Sequence, residues 1–138
     1  MARIISLTNQ KGGVGKTTTS VNLSVSLAVS EVKTLLIDLD PQSNATTGIE
    51  ELLIEPKLTI YDALIRGAAT KDVITKTQLD FLDIITSTGD LVGAEVELGS
   101  IMAREHQLGK VLKPILKKYD YILVDCPPSL GLLTLNAL

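Results

Sequence analysis

Four short apolar runs punctuate the chain: Arg3–Thr8, Thr34–Leu39, Leu79–Thr86 and Tyr121–Asp125. Each is rich in leucine or β-branched residues and bounded by polar or turn residues, which predicts buried strands. The stretches between them read as helices. Strands that alternate with helices predict an α/β fold with a parallel sheet. One region conflicts with itself. From Thr19 to Val29, polar and apolar residues alternate as in a strand, and serine and valine are mediocre helix formers. Yet Val21, Val25 and Ala28 form one helical stripe, and Leu23 and Leu27 form another. The expectation is a helix buried on more than one side.

Further along, Thr59-Ile60-Tyr61-Asp62 resembles a capped helix start, with Gly67 as its stop. A helix or pair of helices is expected over Gly93–Ala103 and Glu105–Lys118, with Pro114 kinking the second. Leu52–Lys57 reads as a surface connection. The last nine residues, Leu130–Leu138, are apolar and helix-like, with no closing polar tail. That pattern is expected of a chain cut within a domain.

Composition narrows the class. The 138 residues are 45% apolar, which suits one globular domain with a real core. No apolar run approaches the roughly 18 residues that would cross a bilayer. Net charge is −3 and aromatics are 3%, so neither a basic nucleic-acid face nor a base-stacking platform is expected. The cluster Lys113, Lys117 and Lys118 reads as a solvated helix face. One cysteine allows no internal disulfide. Cys126 reads as a small packed hydrophobe, and His106 as a surface residue without a second metal ligand at i+4.

The chemistry sits at the ends of the strands. After the first comes Lys11-Gly12-Gly13-Val14-Gly15-Lys16-Thr17-Thr18. Glycines let successive backbone N–H groups turn inward around an anion, and the helix expected to start near Lys16 adds its own free N–H groups. Lys16 then suits β/γ-phosphates and the Thr17 hydroxyl suits Mg2+. The standard phosphate-loop spacing would place a glycine at position 10, which is Gln10; here Lys11 precedes a glycine pair instead. Two further strands end in carboxylates, Asp38 and Asp40 before Pro41-Gln42, and Asp125 before Cys126-Pro127-Pro128-Ser129. Ligands of parallel sheets bind beyond the carboxyl ends of the strands, so Asp38, Asp40 and Asp125 are expected to converge on the phosphate loop. An aspartate after four apolar residues is the usual carboxylate for Mg2+. The same residue also serves as a helix cap or turn former.

With these motifs the whole chain resembles the ParA/Soj-type partition ATPases, the deviant-Walker group that also includes MinD. Lys11–Thr18, Asp38–Gln42 with Asn44, Gly93–Leu98 and Tyr119–Leu138 carry the resemblance. It implies a P-loop NTPase-type α/β fold, a parallel sheet flanked by helices, of which residues 1–138 would be the N-terminal part of a single C-terminally truncated domain. It implies ATP and Mg2+ as cofactors, bound by Lys11, Gly12, Gly13, Val14, Gly15, Lys16, Thr17 and Thr18. Lys16 would hold the β/γ-phosphates. Lys11 would reach across a dimer to the partner's nucleotide, with Gly12 at the seam. Thr17 would ligate Mg2+, with Asp38 and Asp125 in or near its outer shell, and Asp40 would orient the attacking water. The loops Gln42–Thr47 and Pro127–Gly131 would act as switches.

The implied function is an ATP-dependent switch in chromosome or plasmid segregation. It would hydrolyse ATP, form a nucleotide-sandwich homodimer and bind DNA nonspecifically through a C-terminal half. A ParB-type centromere-binding protein would stimulate turnover, in the cytoplasm at the nucleoid, with no membrane involved. The alternatives are a MinD-like ATPase that cycles on membranes, or a nucleotide-binding regulator with negligible turnover. Two departures from the family carry expectations of their own. Glu31 stands where the family usually has glycine, so that turn needs a different stop. The absent far neighbour of the first strand would leave an apolar open edge, with weak nucleotide affinity and poor solubility.

Overall fold

A computed structural model describes residues 1–9, 15–129 and 131–138. Its centre is a six-stranded sheet in the order β1-β6-β2-β5-β4-β3. The strands are β1 (Arg3–Leu7), β2 (Thr34–Asp38), β3 (Leu53–Ile54), β4 (Ile74–Thr77), β5 (Leu82–Ile85) and β6 (Tyr121–Asp125). β1, β6, β2 and β5 run parallel, and they correspond to the apolar runs of the sequence. The sheet is mixed rather than wholly parallel, because β4 and β3 are antiparallel additions. A short turn joins β4 to β5, and only an antiparallel pair can be closed so tightly. Gln78–Phe81 makes that turn, so β5 starts at Leu82 and not at Leu79. Leu52–Lys57 is likewise no simple connection, since Leu53 and Ile54 pair with Thr77 and Lys76.

Helices cover both faces. On one side lie α1 (Lys16–Val29) and α2 (Asn44–Gly48). They pack with Leu36 of β2, Leu82 and Ile84 of β5 and Leu123 of β6. On the other lie α3 (Ile60–Ile65), α5 (Ala94–Gly99), α6 (Gln107–Leu112) and α7 (Leu132–Ala137), with α4 (Thr70–Val73) at their edge. There Leu35 and Ile37 of β2 and Ile122 and Val124 of β6 meet Leu64, Leu98, Leu112 and Leu133. Neighbouring residues of β2 and β6 thus serve opposite cores, as the two-residue repeat of a strand requires.

The contested segment is helical. The residues that α1 turns to the sheet are small: Ser20, Ser24 and Ala28, spaced by four, are buried. Val21, Leu23, Val25 and Leu27 flank this stripe and are half-buried. Small residues let the helix approach the sheet closely, and the buried hydroxyls return to the helix backbone, Ser24 to Ser20 and Ser20 to Lys16. The alternation in the sequence is therefore a narrow serine stripe between apolar flanks.

α1 ends in a left-handed turn. Glu31 has φ 63°, its N–H bonds Ala28 O at 2.9 Å, and Val32 N–H reaches back to Leu27 O at 3.0 Å. No different stop is used here: glutamate adopts the conformation a glycine would favour. α3 begins with a capping box, in which Thr59 and Asp62 satisfy each other's backbone N–H groups, and Gly67 at φ 70° follows its end. α5 stops at Gly99, so the expected helix over Gly93–Ala103 covers only part of that range. α6 stops at Leu112, and Pro114 lies in a following 3-10 turn, Lys113–Ile115. Proline is accommodated in that first turn, where its missing N–H costs nothing.

Candidate functional site

The sheet brings three strand ends to one level. Leu7 on β1 and Asp38 on β2 both pair in register with Asp125 on β6. β1 leads from this level toward α1, whose first residue is Lys16. Gly15, just before it, has φ 81°, a left-handed conformation that favours glycine. Lys11, Gly12, Gly13 and Val14 lie outside the described residues.

Asp125 organises the start of α1. Its Oδ1 lies 2.5 Å from Lys16 Nζ, and its Oδ2 accepts from the Thr17 hydroxyl at 3.0 Å. The Ser20 hydroxyl is 3.1 Å from Oδ1. The carboxylate is fully buried, so the ammonium and two hydroxyls supply the compensation that a charge in low dielectric needs. Sequence reasoning missed Ser20. The available signal was its spacing, one helical turn after Lys16 and therefore on the same face. Thr18 is exposed on the first turn.

Asp38 faces a different set of donors. Its Oδ1 accepts from the Asp40 N–H at 3.1 Å, and its Oδ2 from the Thr46 N–H at 2.8 Å and the Thr46 hydroxyl at 2.7 Å. Burial pushes this carboxyl up to about 6, opposed by the bonds from Thr46 and Asp40, with neighbouring Asp125 raising it further. Asp38 thereby pins α2 to the end of β2. Asp40 is buried beside it and accepts the Gln42 N–H at 2.9 Å, while its carbonyl accepts the Ser87 hydroxyl at 2.6 Å. The Ser87 N–H in turn donates to Thr46 Oγ1 at 3.0 Å. The segments after β2 and β5 are locked together around these two aspartates.

This donor set fits a magnesium nucleotide. Lys16 and the N-terminus of a 14-residue helix offer cationic and N–H partners for phosphate oxygens. Thr17, Asp125 and Asp38 offer hard oxygens. Among the described residues no group of three or more His, Cys, Asp or Glu could hold a metal ion. A hydroxyl with one or two carboxylates matches magnesium, which keeps several waters and takes other ligands from phosphate. Two other singled-out residues play no such part. Cys126 is buried, and burial pushes its thiol up to about 12, which suits packing and not reactivity. His106 is exposed and 3.6 Å from Glu105.

The AAA domain family model matches residues 2–138. The chain belongs to this family. It is 51% identical over 138 residues to the chromosome partitioning protein ParA of Myxococcus xanthus, covering 100% of this chain and 49% of that protein. To the sporulation initiation inhibitor protein Soj of Bacillus subtilis it is 50% identical, covering 100% of this chain and 54% of that protein. Among solved structures, cobyrinic acid a,c-diamide synthase from Mycobacterium smegmatis with bound ADP and magnesium superposes with a TM-score of 0.91. Identity there is 33%, over 100% of this chain and 56% of that one. The ParA/Soj resemblance therefore holds over the whole chain, and the P-loop NTPase-type α/β fold is shared. The chain spans about half the length of the curated relatives it matches. No helix among the described residues is long and apolar enough to cross a membrane.

Proposed function

We propose that this chain is the nucleotide-binding part of an ATP-dependent partition switch. The observation that carries the reading is the convergence of Lys16, Thr17 and Asp125 at the start of α1, beside Asp38 and Asp40. Lys16 exchanges its Asp125 partner for phosphate oxygens, and Asp125 keeps the Thr17 hydroxyl oriented. Magnesium would supply charge neutralisation of the phosphates. In this reading Asp40 orients the water, and Asp38 supports it by holding Thr46 and the Asp40 N–H. In the same reading Lys11 reaches a partner's nucleotide in a sandwich homodimer, with Gly12, Gly13, Val14, Gly15 and Thr18 completing the phosphate loop. Stimulation by a ParB-type protein, nonspecific DNA binding and a place at the nucleoid belong to the whole protein. Sequence relatives near 50% identity favour partition over the chemistry of the cobyrinic acid synthase, which shares the fold at 33%.

The test is titration with a fluorescent ATP analogue and Mg2+, beside Lys16→Ala. Saturable binding that weakens at least tenfold in the variant is expected. Equal binding by both proteins, or none by either, sinks the reading for this chain.

A further inference from the structure

The segment Gly93–Leu98 carries family resemblance, yet the nucleotide site does not use it. α5 presents two glutamates two positions apart, on opposite sides of the helix. Glu97 accepts the Tyr61 hydroxyl of α3, both oxygens at 2.9 Å. Glu95 faces the other way, toward the segment that follows Asp125. Its Oε1 accepts the Leu133 N–H in the first turn of α7 at 3.3 Å. It also fills the space beside Gly131, where a Cβ would come within 2.1 Å of Oε1 and 2.4 Å of Oε2. Gly131 has φ −76°, so its backbone does not require glycine. A Cβ there would instead displace the tip of the Glu95 side chain.

Around this contact the same segment is tied down again. The Thr134 hydroxyl donates to Ser129 O at 2.6 Å. Glu95 also lines a cavity of about 310 Å3 with Asp40, Gln42, Pro127, Ser129 and Leu133. Glu95 thus shares a cavity with the loops after β2 and β6.

We propose that Glu95 is a positioning residue, a latch that fastens the start of α7 to α5 and thereby sets the loop that leaves Asp125. Among the described residues no hydrogen bond or ion pair joins Glu95 to Lys16 or Asp125; it acts through the first turn of α7 and through the Thr134 hydroxyl, which donates to Ser129 O. Gly131 is the other half of the latch, because any larger residue expels the carboxylate from its seat. The consequence for nucleotide rests on the functional reading above.

Hydrogen–deuterium exchange of the chain, read over residues 127–133, tests the latch directly. Glu95→Ala is expected to speed exchange there about three- to tenfold, the worth of one lost hydrogen bond, while β2 and β5 keep their rates. Glu95→Gln, which still accepts the Leu133 N–H, is expected to restore most of the protection. Gly131→Ala should reproduce Glu95→Ala, and the double variant should exchange no faster than either single one. Unchanged exchange in Glu95→Ala, a uniform rise across the protein, or additive effects in the double variant would each overturn the proposal. A second arm uses the fluorescent ATP analogue with Mg2+. Glu95→Ala and Gly131→Ala are expected to bind it about three- to tenfold more weakly, with Glu95→Gln near the parent chain. If these variants bind like the parent, the link from latch to site is wrong. If the parent itself binds no nucleotide, the functional reading fails, and the exchange arm alone decides the latch.

Discussion

β1 and β2 are equal in length, share the partner β6 and differ in surroundings. Arg3-Ile4-Ile5-Ser6-Leu7 and Thr34-Leu35-Leu36-Ile37-Asp38 each pair in register with the five residues of β6. Every residue of β2 is buried, whereas Ile4 and Ile5 of β1 are 47% and 37% exposed. The difference is position. β2 has β5 on its far side and helices on both faces, while β1 is an edge of the sheet formed by the described residues. The opposite edge looks quite unlike β1: β3 has two residues and is flanked by Glu50, Glu51 and Glu55. A short, charged edge resists pairing with other chains, and a five-residue one that exposes Ile4 and Ile5 invites it. Composition thus says that a segment is a strand, and the neighbours decide what the strand is worth.

Truncation on each strand measures that worth. Leu36→Ala, in the middle of β2, is expected to cost about 3 kcal/mol, from lost burial and the cavity left behind. Ile4→Ala, on β1, should cost about 1 kcal/mol or less, because much of that side chain is already in water. Denaturant unfolding of both variants checks the contrast. Equal losses would mean that β1 is covered in solution.

The same contrast explains what could be read in the sequence. All four parallel strands were legible, since a buried strand needs a continuous apolar run and little else has that form. β3 and β4 were not. β3 is two residues long, and Ile74-Thr75-Lys76-Thr77 is a half-polar strand whose β-branched residues are its main signal. The candidate site residues Lys16, Thr17, Asp38, Asp40 and Asp125 stand out because each ends or follows a strand or opens a helix. Ser87 and Glu95 do not, because their partners are distant in sequence and only the fold brings them together. In α1 the expected stripes, Val21, Val25 and Ala28 on one side and Leu23 and Leu27 on another, are only partly realised: Ala28 is buried together with Ser20 and Ser24, and the valines and leucines are half-buried.

β2's side of the sheet also carries a polar link at its base. Tyr119 just before β6 donates its hydroxyl to Asp83 on β5 at 2.7 Å, and Lys76 on β4 meets the same carboxylate at 2.9 Å. Burial raises the phenol above its ordinary value of 10.0, and the bond to Asp83 and that carboxylate's charge raise it further. Tyr119→Phe is expected to lose about 1–2 kcal/mol at neutral pH, a hydrogen bond to a charged acceptor. The pH dependence has a definite sign. Above about pH 10 the unfolded phenol ionises while the folded one keeps its proton, so stability falls as pH rises. Urea unfolding between pH 8 and 11 should show this decline in the parent, and less of it in Tyr119→Phe. An identical decline in both would assign the effect to other groups.

The smallest expected effect lies at the entry to β2. Glu31 holds φ 63° between α1 and that strand, and its side chain is exposed. A residue with a Cβ pays roughly 1–2 kcal/mol in this conformation, whereas glycine adopts it freely. Glycine also gives the unfolded chain more freedom, which returns part of the gain. Glu31→Gly should therefore stabilise the protein by about 0.5–1 kcal/mol, raising the denaturant midpoint without changing the slope. Because the turn is locked by Val32 N–H on Leu27 O and leads into a fully buried strand, the whole gain should appear in global unfolding. A destabilised Glu31→Gly would show that the glutamate side chain contributes more to the turn than its backbone costs.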